Sequence, residues 1–143
     1  MDSRLLNIPE SLSLALHSLK WLSYLGGTLS AVDISSRTGM SVNHLSKVLR
    51  KLVKAGIINV SKGPGGGFYL TDEQKSKKLI EVYLTFENLP TDKACIYENP
   101  LCDKKKCVFG GLLCKVNDDF LNHFNNTSIA DLGWLKSWLF LSK

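Results

Sequence analysis

Apolar residues recur at helical spacing between Ser11 and Leu25, where Leu12, Ala15, Leu16, Leu19 and Leu22 fall on one stripe. Pro9 precedes the run and Gly26-Gly27 stops it, so the pattern predicts a first helix. Ser30-Ala31-Val32-Asp33 then has the spacing of a capping box, with Asp in place of the usual Glu or Gln. It predicts a short second helix ending at Gly39, a residue suited to a left-handed turn. Ser41 is read as the cap of a third helix that reaches about Ala55 and closes at Gly56. A short helix, a glycine-containing turn and a longer helix make the helix-turn-helix layout.

The third helix separates its faces. Leu45, Val48, Leu49, Leu52 and Val53 form the apolar stripe, while Asn43, Lys47, Arg50 and Lys54 step by three and four along another side, with His44 and Lys51 beside them. An ordinary amphipathic surface helix mixes both charge signs on its outer face, whereas this one carries only neutral and positive residues. An apolar grip behind hydrogen-bonding and cationic tips is what a major-groove helix requires.

Two strand-like runs follow, Ile57 to Ser61 and Gly67 to Thr71, joined by Lys62-Gly63-Pro64-Gly65-Gly66. A phosphate-binding loop would need a trailing Gly-Lys-Ser/Thr and a helix after it, and here a strand follows. The hairpin is therefore read as a wing. Its bare backbone N–H groups and Lys62 would meet phosphate or the minor groove, where a Cβ would clash.

Beyond Asp72 a polar linker is expected, then a helix around Lys78 to Glu87. An irregular segment opens at Pro90 and contains Cys95, Cys102 and Cys107. From about Val108 to Asn125 the pattern is helical again, with Phe109, Leu112, Leu113, Val116, Phe120 and Phe124 near one side. Thr127-Ser128 has the look of a cap for a short helix through Leu132. The tail from Gly133 to Lys143 holds Trp134, Leu135, Trp138, Leu139, Phe140 and Leu141. It is too short to cross a bilayer and too poor in cations for a surface anchor, so it is expected to pack on the body or on a partner subunit.

The fold class expected is mainly α with a small β-hairpin wing: a winged helix-turn-helix domain over residues 1–88, a cysteine-containing sensor loop over 89–107, and a dimerisation helix with its hydrophobic tail over 108–143. The apolar share of 44% over 143 residues is enough for one core. The net charge of +5 matters less than its placement. From Ile34 to Thr71 there is no Asp or Glu, yet Arg37, Lys47, Arg50, Lys51, Lys54 and Lys62 lie there. Cations without a neighbouring carboxylate form an electrostatic footprint for a phosphate backbone. The expected DNA-contacting set is Ser30, Arg37, Ser41, Asn43, His44, Lys47, Arg50 and Lys51, with Lys62, Gly63, Pro64, Gly65 and Gly66 from the wing. Met1 to Glu10 has no basic-then-apolar signal segment, and no run of 18 apolar residues exists, so a cytoplasmic chain without a membrane partner is expected.

The cysteines at 95, 102, 107 and 114 form no C-x-x-C knuckle, which argues against a structural zinc ribbon. Thiolates in a loop able to wrap irons are the ligands of iron–sulfur clusters, and Lys104, Lys105 and Lys106 would favour the thiolate form and offset cluster charge. Thiols that sense by disulfide chemistry without metal are the competing reading.

Together these residues resemble the Rrf-two family of bacterial winged-helix regulators. Ser13-Leu14-Ala15-Leu16-His17 is similar to the family's opening helix, and Ser41 to Lys47 with Leu52 to Gly56 is similar to its recognition helix and exit. Gly63-Pro64-Gly65-Gly66-Gly67-Phe68 is close to its wing signature, and Ile129-Ala130-Asp131-Leu132 to its ending. The resemblance implies a homodimer paired through the long helix after the cysteine loop, and a palindromic DNA operator. It also implies an iron–sulfur cluster, of the two-iron, two-sulfide type, on Cys95, Cys102 and Cys107. Their x6 and x4 spacing is less even than that of cluster-binding members, and the fourth ligand is left between Glu10 and Cys114. The function expected is a dimeric transcription regulator, a repressor, that senses nitric oxide, iron–sulfur status or redox through the cysteines. A thiol-redox or electron-transfer protein is the alternative of another class. No paired carboxylates, nucleophile–His pattern or cofactor loop supports an enzyme.

Overall fold

A computed structural model describes residues 8–89, 101 and 103–133 of the chain. Helix α1 spans Glu10–Leu25, α2 Ala31–Thr38 and α3 Val42–Lys54. The hairpin strands β1 (Asn59–Ser61) and β2 (Gly67–Tyr69) follow, then α4 (Asp72–Lys75), α5 (Leu79–Phe86), a 3-10 turn at Lys104–Lys106, α6 (Leu112–Asn126) and α7 (Ile129–Leu132). This is a mainly helical fold with a small antiparallel hairpin.

Helix α1 lies at the centre and packs against α2, α3, α5 and α7. Leu12, Ala15, Leu19 and Leu22 are essentially without solvent contact, as their spacing predicts. Leu14 and Ser18 are buried too, while Leu16 is only partly so. The Ser18 hydroxyl donates to the Leu14 carbonyl at 2.7 Å, which satisfies it inside the core. Helix α3 turns Leu45, Val48, Leu49 and Leu52 inward, with Val53 at the margin. Ile34 of α2 and Ile57 and Ile58, just ahead of β1, complete that side of the core. The Ile57 N–H still donates to the Leu52 carbonyl at the exit of α3, at 3.0 Å, and β1 begins only at Asn59, later than the run from Ile57 suggests.

The segment after Thr71 is not a plain linker. Thr71 and Gln74 form a reciprocal capping box, the Thr71 hydroxyl accepting from Gln74 N–H and the Gln74 amide accepting from Thr71 N–H, and this nucleates α4. The last described elements return to the first. Leu79 N–H donates to the Thr127 carbonyl and Ile129 N–H to the Lys77 carbonyl, both at 2.9 Å. This bridge sets α7 on α1, where Ile129 and Leu132 are buried.

Helix α6 starts at Leu112, later than Val108, because Gly110 adopts φ 58° and breaks the helical path before it. Its second half packs on α5: Phe120 and Phe124 stack at 4.3 Å, and Tyr83 meets both edge-on at 5.6 and 5.8 Å. Desolvation in that cluster raises the Tyr83 hydroxyl above its ordinary pKa, with Glu87 adding to the effect. Toward the other end Val108, Phe109 and Leu112 are exposed, Val108 by 94%. No helix of the described residues is long and apolar enough to cross a membrane.

Two predictions follow from this packing. Leu49→Ala should lower unfolding free energy by about 3 kcal/mol, the usual cost of emptying a fully buried leucine site, read as a lower urea midpoint at unchanged slope. The second concerns acid stability. Backbone and then hydroxyl hydrogen bonds from Ser30 hold Asp33 below the ordinary carboxylate value of 3.8, and those from Ser128 do the same for Asp131. A depressed folded pKa stabilises above the unfolded value, and the effect is lost as pH falls through the folded one. Asp33→Asn with Asp131→Asn should therefore flatten the acid limb of the urea midpoint against pH below about 4, and leave its shape near neutrality unchanged.

Candidate nucleic-acid interface

The turn between α2 and α3 is built by its ends. Asp33 N–H donates to the Ser30 hydroxyl at 3.1 Å, while the Asp33 carboxylate accepts from Ser30 N–H at 2.8 Å and from the Ser30 hydroxyl at 2.7 Å. The Ser30 hydroxyl is thus committed to its own cap. At the other end Gly39 takes φ 71°, the left-handed conformation that lets the chain turn into α3. Ser41 stands at the N-cap position of α3, but its hydroxyl makes no capping bond, contrary to the role read from sequence. That hydroxyl is exposed beside the first turn of the helix.

With its leucines and Val48 buried, α3 sends Asn43, His44, Lys47, Arg50, Lys51 and Lys54 into solvent. At ~1.5 Å rise per residue, Asn43 to Lys54 extends over about 16 Å, enough to follow a groove for several base pairs. Within this set the structure draws distinctions invisible in the sequence. Lys51 Nζ sits 4.8 Å above the Phe86 ring, at the last residue of α5. The Arg37 guanidinium lies 5.4 Å from the Trp21 ring of α1, which Lys20 also approaches at 5.8 Å. His44 Nδ1 is 3.7 Å from a Glu10 carboxylate oxygen, both side chains largely exposed. Although residues 34–71 contain no carboxylate, folding therefore brings one to the start of α3.

The hairpin pairs Asn59 with Tyr69, Val60 with Phe68 and Ser61 with Gly67. Its tip is a tight turn in which Gly66 N–H donates to the Gly63 carbonyl at 2.9 Å. Lys62, Gly63, Pro64 and Gly65 are exposed, and Gly66 is half-buried. The glycines at the inner end have steric reasons. A Cβ on Gly66 would lie 2.5 Å from the Ser61 carbonyl oxygen. One on Gly67, at φ 153°, would lie 2.6 Å from the Leu29 carbonyl oxygen. That close approach lets Leu29 and Phe68 exchange backbone hydrogen bonds at 2.9 and 2.8 Å, so the residue before the α2 cap holds the wing. Neither this bridge nor the Glu10–His44 contact was signalled by sequence, since each joins segments remote in the chain.

The cysteines are placed in part. Cys95 and Cys102 lie outside the described residues. Cys107 is a half-buried free thiol directly after the 3-10 turn of Lys104–Lys106. Cys114 is an exposed free thiol in the first turn of α6, and Cys107 precedes that helix. Among the described residues no cluster of three or more His, Cys, Asp or Glu side chains could hold a metal ion. His17 and His123 are both exposed.

Comparison with known proteins places this geometry. The Rrf2 family model, described as "Iron-dependent Transcriptional regulator", matches residues 8–133. Protein rrf2 of Nitratidesulfovibrio vulgaris is 30% identical over 105 residues, which are 73% of this chain and 70% of that protein. The HTH-type regulator BadM of Rhodopseudomonas palustris is 41% identical over 64 residues, 45% of this chain and 41% of its own length. The HTH-type transcriptional regulator IscR of Escherichia coli is 26% identical over 106 residues, 74% of this chain and 65% of its own. The matches to BadM and IscR therefore span less than two thirds of those proteins. Among solved structures, CymR, described as the global cysteine regulator of B. subtilis, superposes with a TM-score of 0.73 at 20% identity, over 93% of this chain and all of that one. IscR of T. potens gives 0.67 at 17% identity over 95% and 97% of the two chains. Both share the winged-helix fold. The chain belongs to the Rrf2 family of transcriptional regulators.

Proposed function

We propose that the chain is a dimeric DNA-binding repressor in which α3 reads the major groove, the wing rests on the neighbouring backbone, and the cysteine segment carries the signal. The carrying observation is the outer side of α3, where Asn43, His44, Lys47, Arg50, Lys51 and Lys54 are exposed opposite the buried Leu45, Val48, Leu49 and Leu52. Lys47 and Arg50, on the outer side, are the base and phosphate readers, and Asn43 with the uncommitted Ser41 hydroxyl lies at the groove end of the helix. Arg37, spread on Trp21, and Lys62, with the backbone N–H groups of Gly63, Gly65 and Gly66, position the duplex, while Pro64 keeps the tip rigid. Ser30 acts through its cap by fixing α2. Lys51, held over Phe86, ties the groove helix to the end of α5.

The homodimer is supported by the exposed apolar residues Val108, Phe109 and Leu112 ahead of and within the first turn of α6. Two-fold pairing there would present two α3 helices to a palindromic operator. Iron–sulfur ligation by Cys95, Cys102 and Cys107 is supported by their soft donor chemistry, by the half-buried Cys107 beside Lys105 and Lys106, and by the likeness to IscR. Such a cluster would supply sensitivity to nitric oxide, iron–sulfur status or redox. With Glu10 beside His44, and Cys114 exposed on α6, both stay candidates for a fourth ligand. The segment from Glu87 to Gly111 joins two elements that rest on the DNA-binding domain, α5 through Phe86 under Lys51 and α6 through Phe120 and Phe124 on Tyr83. A change within it is thereby felt at α3. Thiol or disulfide sensing without metal is the second reading, and the exposure of Cys114 favours it.

Lys47→Ala and Arg50→Ala should each weaken binding to a duplex selected by the full chain by roughly tenfold, and each lost phosphate contact should lower the salt slope by about one. Unchanged gel shifts for both variants would remove α3 from the groove. For the cysteines, anaerobic purification should yield a coloured protein with iron and acid-labile sulfide, and Cys107→Ser should lose both. A colourless, iron-free chain that cannot be reconstituted would leave thiol chemistry as the sensor.

A further inference from the structure

At the base of the wing one buried amide joins separate pieces of backbone. Gln74 is only 7% exposed. Its Oε1 accepts from Thr71 N–H at 3.0 Å. Its Nε2 donates to the Gly56 carbonyl at 3.2 Å and to Asn59 Oδ1 at 3.1 Å. The orientation of the amide follows from its partners. A backbone N–H can only donate and a carbonyl can only accept, so exchanging the Gln74 oxygen and nitrogen would break both contacts.

These partners are where the wing joins the domain. Gly56 follows the C-cap of α3 by one residue, Asn59 opens β1, and Thr71 lies two residues beyond β2. Both legs of the hairpin and the exit of the groove helix therefore meet at one side chain. A methionine or leucine would fill the volume; what the amide adds is direction, because each bond has a preferred line. The Asn59–Ser61 strand spans about 7 Å at ~3.3 Å per residue with the turn beyond it, so a tilt of about 10° at the base moves the end of the strand by roughly 1 Å and the tip by more. Strand β2 is also held by the Leu29–Phe68 bridge, just ahead of the α2 cap, while Gln74 ties the hairpin to the exit of α3.

We infer that Gln74 is a positioning residue that sets the angle between the wing and α3, and so the separation of DNA surfaces that the chain accepts. This rests on the DNA-binding reading above. The Gln74→Glu variant isolates the effect. A carboxylate still accepts from Thr71 N–H, so the α4 cap survives, but it has no hydrogen to give Gly56 or Asn59. In the free protein, amide exchange across residues 59–69 should quicken by about tenfold while α1 and the core of α3 keep their rates. On a labelled duplex enriched from a random library by the full wild-type chain, Lys62→Ala should weaken the wild type about fivefold, but Gln74→Glu by less than about twofold. Asn59→Ala, which removes one acceptor and leaves the cap and the Gly56 bond, should shift both readings the same way to a smaller extent. Unchanged exchange in the wing, exchange raised equally across α1 and α3, or strictly additive effects with Lys62→Ala would each overturn the inference. If the wild type enriches no duplex, it is the DNA-binding reading that fails, and the exchange data still judge the geometry at Gln74.

Discussion

The fold depends on α1 being surrounded. Leu12, Ala15, Leu19 and Leu22 can leave water only if elements from both ends of the chain close over them, and α2, α3, α5 and α7 do so. That demand fixes how α3 is rolled about its own axis. Once Leu45, Val48, Leu49 and Leu52 face inward, Lys47 and Arg50 must point away from the core. The cationic surface is thus a consequence of core packing as much as of charge.

The wing obeys a different constraint, the close approach of backbones. Gly67 comes so near Leu29 that any side chain would strike its carbonyl, and Gly66 turns equally tightly over Ser61. These contacts, with the Gln74 amide, hold a hairpin of short strands that would be marginal alone. The same economy appears in the cations, where aromatic rings of α1 and α5 seat Arg37 and Lys51. Each such contact is modest, about 0.5–1 kcal/mol at exposed sites, but it reduces the side-chain freedom to be lost on binding.

The helices on either side of the cysteine segment pack on the rest of the fold, α5 at Phe86 under Lys51 and α6 through Phe120 and Phe124 on Tyr83. On the reading proposed above, the element that senses and the element that binds must be joined so that one biases the other. Lys51 over Phe86 is a direct physical join, since α3 and the last residue of α5 share it.

Most helix positions, the capping box at Ser30, the cap at Thr127-Ser128, the glycine at 39 and the wing were legible in the sequence because each rests on neighbours a few residues apart. Periodicity and capping are local physics, and the resemblance at Gly63 to Phe68 rested on equally local turn chemistry. The short α4 was missed because its cap uses Thr71 and Gln74 at the end of a strand, where a linker reads the same. Ser18 was missed because a hydroxyl that satisfies itself inside its own helix carries no apolar signal. The start of α6 was placed too early because hydrophobicity continues through Val108 and Phe109, while Gly110 decides the backbone. What only the tertiary structure decided are the meetings of distant segments: Glu10 with His44, Leu29 with Phe68, Phe86 with Lys51, and Gln74 with Gly56 and Asn59. No spacing rule reaches across them, because each contact is chosen by how the helices roll together to bury α1, and that is a property of the whole chain.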